Sequence, residues 1–155
     1  MMKKAVLWIL IILWMAVLFG FSSQEATESK KVSSGLITAI VELFDFSNSL
    51  SPEKTQAIAE NLTFIVRKSA HFIAYAILGS LVFCLAGEYK LYGKRQFLLS
   101  IAVAFLYACS DEFHQTFVKG RSGEIRDVTI DTIGATFGAL VIMVIKRIKK
   151  WLVGK

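Results

Sequence analysis

The sequence predicts an all-α protein: an integral membrane bundle of four transmembrane helices, with short amphipathic helices on the extracytoplasmic side. Three observations carry that expectation. Hydrophobic residues make up 55% of the 155-residue chain and mean hydropathy is +0.57, more apolar than an ordinary soluble domain. Four apolar runs are nearly free of charge, and a helix of about 20 residues crosses about 30 Å of hydrocarbon. The basic residues sit beside these runs, as membrane topology places them.

The first run, Ala5–Phe21, carries no charge. Lys3 and Lys4 before it also fit a signal peptide, but Phe19-Gly20-Phe21-Ser22-Ser23 is a poor cleavage site, so an uncleaved helix is expected. The second run, Ser69–Gly87, holds only His71 as an ionisable group. The third lies between Arg95 and Asp111 and is short unless it extends through Phe113 and beyond. That extension draws Asp111, Glu112 and His114 to the membrane boundary. The fourth, Val128–Ile145, contains Asp131. Spans are thus expected at about 5–21, 69–87, 96–113 and 128–145, in one domain covering 1–155.

With the N-terminus inside, the cytoplasmic segments hold ten basic residues and one acid, Glu88. The other side holds the remaining eight basic residues and eleven acids. Both termini are therefore expected to be cytoplasmic in a multi-pass cell-membrane protein, with the polar residues facing outward. Between the first two spans, Val32, Leu36, Ile40 and Leu43 have helical spacing. Ser51, Pro52 and Glu53 then read as N-cap, N1 and first turn of a second short helix carrying Ala57, Ile58, Leu62 and Ile65. Both are expected to lie on the outer membrane surface, or as a lid over the polar residues.

The net charge of +6 comes without a basic stripe interleaved with aromatics, which argues against nucleic acid. Cys84 and Cys109 fall near opposite membrane faces, too far apart to bridge. Trp8, Trp14 and Trp151 read as packing residues or interfacial anchors.

Helical phase gathers the ionisable residues. Arg67, Lys68, His71 and Tyr75 share one face of the second helix; Asp111, His114 and Gln115 share one of the third. On the fourth, Asp127 and Asp131 align with Gly134 and Gly138, a small-x-x-x-small face that brings helix backbones together. Between the last two spans, Gly120 and Gly123 permit a tight reversal that can carry Arg121 back over the bundle mouth. Such a mouth permits phosphoester chemistry. His71 and His114 would be base or nucleophile and acid, oriented by Asp111 and Asp127. Arg67, Arg121 and Arg126 would hold phosphate, with Lys68, Tyr75, Gln115 and Asp131 completing the substrate-facing set. The alternative is a structural network in which Arg and Asp satisfy each other and hold the helices in register. A metal held by His71, His114, Asp111 and Asp127 is a third reading, without any local ligand motif to support it, so no metal is assigned. No cofactor and no protein partner can be read from these residues.

Several blocks resemble the VanZ-like family of bacterial membrane proteins. They are Phe21-Ser22-Ser23-Gln24, Arg67-Lys68-x-x-His71-Phe72-x-x-Tyr75, Tyr107-Ala108-x-x-Asp111-Glu112-x-His114-Gln115-x-Phe117, Gly120-Arg121, and Arg126-Asp127-x-x-x-Asp131-x-x-Gly134. The resemblance implies a small all-helical membrane protein of the cell envelope. The family is named for a member linked to glycopeptide (teicoplanin-type) resistance. It has been grouped with membrane domains proposed to act on phosphate linkages of lipid headgroups or lipid-linked wall precursors. A membrane lipid or lipid-linked cell-wall precursor is thus the implied partner. A non-catalytic protein that binds an envelope component or antibiotic, or stabilises a partner, is the alternative.

Overall fold

The computed structural model describes residues 2–24, 35, 37 and 51–153. Four long helices stand among the described residues: α1 (Met2–Ser22), α2 (Pro52–Glu88), α3 (Gly93–Gln115) and α4 (Ile125–Val153). All four are long and apolar enough to cross a membrane. The outward surface fits that setting, since Leu13, Ile73, Leu106 and Ile133 are each more than half exposed. The expected amphipathic helix around Val32, Leu36, Ile40 and Leu43 lies outside the described residues.

The second short helix is corrected. Pro52 does start a helix, and Ser51 occupies its N-cap with extended backbone, but no break follows before Glu88. No proline and, before Gly79, no glycine interrupts the run, so helix propagation costs less than a second nucleation. At 1.5 Å per residue the 37 residues of α2 reach about 55 Å, well beyond about 30 Å of hydrocarbon. Along this stretch Ala59 and Thr63 are buried against the protein, while Ile58, Leu62 and Ile65 are exposed.

α3 runs to Gln115, so Asp111, Glu112 and His114 lie within the helix. α2 is the hub, packed against each of the other three helices and most extensively against α4. Backbone approach explains this preference. A Cβ on Gly134 would collide with the Phe72 carbonyl, on Gly138 with that of Ala76, and on Gly79 with that of Ala135. Without a hydrophobic drive between helices in lipid, such close packing is what holds them. The core beside this seam contains Tyr75, Leu78, Val82, Leu85, Ala104, Ala108 and Ala135, joined by Ile11 and Leu18 of α1.

Polar side chains add specific ties. Trp14 Nε1 donates to the Ala74 carbonyl at 2.9 Å, and Tyr107 donates its hydroxyl proton to the Met15 carbonyl at 2.6 Å. Gln96 Nε2 donates to the Phe83 carbonyl at 2.7 Å. At the end holding the α1 N-terminus, Lys4 lies over the Tyr89 ring and Lys146 over that of Phe83. Trp14 is therefore a packing residue. Cys84 and Cys109 are both free thiols.

A cationic cavity at the polar end of the bundle

The ends of α1 and α3 and the starts of the membrane-crossing part of α2 and of α4 meet at one end of the bundle. The α3–α4 loop closes over them. Gly120 adopts a φ of 76°, a left-handed conformation that glycine takes without steric cost. Gly123 lets the loop settle on α3, because a Cβ there would come within 2.7 Å of the Glu112 carbonyl oxygen. Glu112, on the edge of its helical face, turns out to secure this loop. Its carboxylate accepts the Glu124 backbone N–H at 2.9 Å and a proton from Gln115 Nε2 at 3.0 Å. Placed at the α4 N-terminus, the carboxylate also meets the positive end of the helix dipole.

The loop delivers Arg121 to the mouth. Its Nη1 donates to Gln115 Oε1 and its Nη2 to the Phe21 carbonyl, each at 3.3 Å. The second bond satisfies a carbonyl at the C-terminus of α1. Burial and the nearby charge of Arg67 push the Arg121 guanidinium below the ordinary arginine pKa. Among the described residues Arg67 has no hydrogen-bond or ion-pair partner. Two guanidinium groups thus face one space, whose lining also carries Lys68 and Arg126 against the acids Glu124 and Asp127.

That space is a cavity of about 280 Å³, lined in part by Arg67, Lys68, His71, Gln115, Arg121 and Asp127. Arg126 and Glu124 sit at its rim and bond each other at 3.2 Å. Lys68 is bonded to Asp127 across the α2–α4 seam. Asp127, expected to orient a histidine, is therefore engaged by a lysine instead.

His71 is held by a different carboxylate. Its Nδ1 lies 3.5 Å from Asp131 Oδ1, a long approach for a hydrogen bond but close enough for the carboxylate to stabilise an imidazolium when one forms. Asp131 is fully buried, and among the described residues neither of its oxygens has a hydrogen-bond partner. With Nδ1 turned to Asp131, Nε2 is the ring nitrogen left to meet the cavity. Asp111 is also buried, beside Ser22 and Gln115, and among the described residues its Oδ1 has no hydrogen-bond partner. It lies behind the cavity wall.

The other histidine goes elsewhere. His114 stacks on Phe19, with ring centroids 4.4 Å apart, and its Nε2 is 3.3 Å from Ser23 Oγ. Only His71 of the two lines the cavity. Tyr75 is fully buried in the core, 6.2 Å from the Tyr107 ring, with no partner for its hydroxyl among the described residues. Among the described residues no three His, Cys, Asp or Glu side chains converge as metal ligands. The groups sequence reasoning left aside are Glu112 and Ser22–Ser23 at the α1 terminus. Ser22-Ser23 stood in the quoted blocks, but only three-dimensional proximity gives those serines a role beside Asp111 and His114.

No curated protein and no solved structure matches the chain. The family pattern described as VanZ/LLP1 matches residues 7–146, from within α1 to the basic end of α4, and so includes every residue of the cavity. With four membrane-crossing helices and a match of that extent, the chain belongs to the VanZ/LLP1 family.

Proposed function

We propose that this protein binds a phosphate-bearing lipid or lipid-linked wall precursor at the outer leaflet and acts on its phosphate linkage. One observation carries the reading: His71, backed by the buried Asp131, opens into a cavity that also presents Arg67 and Arg121. Planar guanidinium groups suit phosphoryl oxygens bidentately and stabilise the charge that develops on them. A neutral His71 takes a proton from a water attacking phosphorus, and the bond to the leaving oxygen breaks. The imidazolium, stabilised by Asp131, then returns that proton to the leaving oxygen. One histidine thus serves as base and acid in turn, since His114 faces α1. The Lys and Arg distribution supports cytoplasmic termini and a cavity on the outer face.

The test compares phosphate-bearing lipid and wall-precursor pools in cells with and without the protein, and with His71→Ala. A pool that shifts with the wild-type protein and returns with the variant supports turnover. If the substrate is a wall precursor, teicoplanin susceptibility follows the same pattern. Binding without turnover is the second reading, favoured by the separation of the two histidines. It predicts unchanged pools and retained phosphate binding in His71→Ala.

A further inference from the structure

A second cavity adjoins the first. It measures about 220 Å³ and lies between α1 and α2, lined by Leu18, Phe21, Ala70 and Ala74 with Gln24, Arg67, His71 and Arg121 at its upper end. Arg67, His71 and Arg121 line both cavities, so the two adjoin at these side chains. From Arg67 down to Ala74, seven residues of helix make the slot about 10 Å deep. Its α1 wall, from Gln24 to Leu18, has nearly the same depth. At Ala74 the two helices are tied by the hydrogen bond of Trp14 Nε1 to the Ala74 carbonyl, 2.9 Å long. The side of the slot is open, because Phe21 is 62% exposed and Ala70 is exposed as well.

We infer that the site takes a single-chain phosphate amphiphile endwise. The anionic head occupies the cationic cavity, and the first part of the apolar chain lies in the α1–α2 slot, entering sideways from the bilayer. This rests on the phosphate reading above and adds which part of the ligand goes where. Charge complementarity fixes the head, and the Arg67 and Arg121 side chains shared by the two linings fix where the chain must leave it. The Trp14–Ala74 tie turns the chain outward after about 10 Å. A free phosphate ion would use the first cavity alone.

The experiment uses the full chain in nanodiscs, with inorganic phosphate and an octyl phosphate carrying a terminal diazirine. Photolabelling followed by peptide mapping should place the label on α1 and α2 around Leu18, Phe21 and Ala74. Excess inorganic phosphate should suppress it. Ala70→Phe, which fills the slot, should reduce labelling there about tenfold while leaving inorganic phosphate binding unchanged. Arg67→Gln should weaken both ligands. Label spread evenly over the lipid-facing surfaces of all four helices, or unchanged in Ala70→Phe, overturns the inference even where inorganic phosphate binds. Loss of phosphate binding in the wild-type protein would instead overturn the reading beneath it.

Discussion

At the scale of single residues, chemically similar groups carry different tasks. His71 and His114 are both imidazoles near the same bundle end, yet only the first meets the cavity. His71→Ala is expected to lower turnover by about a hundredfold or more. His114→Ala is expected to stay within a few-fold, measured on the same purified material. Asp131→Asn keeps the shape but removes the charge behind His71, and is expected to cost nearly as much turnover with little loss of phosphate binding. Lys68 and Asp127 pair across two helices in a partly buried setting. A double-mutant cycle with Lys68→Ala and Asp127→Ala should return a coupling of about 0.5–3 kcal/mol in thermal unfolding. The sequence made these residues visible as candidates through helical phase, which locates faces but not partners. Which aspartate backs His71 depends on how α2 and α4 are rotated against each other, and that is set by packing. Glu112 was harder still to read, because its partner is a backbone N–H supplied by a loop.

At the scale of helices, the α2–α4 seam determines whether the site exists at all, because it places His71 against Asp131. Gly138→Leu would drive a side chain into the Ala76 carbonyl. Overpacking of this kind typically costs about 1–3 kcal/mol, and the rigid backbone leaves little room to relax. A lowered melting temperature in detergent is the expected result. Gly20→Ala is the matched control, since a Cβ there meets nothing within 4 Å. The Gly134–Gly138 face was legible as a small-x-x-x-small spacing, whereas Gly79, the reciprocal position on α2, stood alone without a spaced partner. The helix starting at Pro52 shows the opposite limit. Its N-cap was readable from Ser51 and Pro52, but hydropathy alone placed an end at the membrane boundary. The backbone has no reason to stop there, because Ser69 and its neighbours continue a helix as readily as Val66 does.

At the scale of the whole molecule, four alternating passes bring the α1 and α3 C-termini and the α4 start to one end of the bundle, and the middle of α2 with them. The fold class was legible because hydrocarbon imposes a length and a composition that few other environments demand. Sidedness was legible only as an expectation from charge. In a background with both cysteines replaced, Ser122→Cys should react with an impermeant maleimide on intact cells, and Lys94→Cys should react only after permeabilisation. The central claim is that the His71–Asp131 pair in a cationic cavity turns over a lipid-borne phosphate linkage. Its most direct measurement is the rate at which the purified, bilayer-embedded protein converts phosphate-labelled envelope lipids, taken for wild type, His71→Ala and His114→Ala. Conversion by wild type and His114→Ala, with loss in His71→Ala, is the predicted result. Equal conversion by all three, or none by wild type while phosphate still binds, would contradict it.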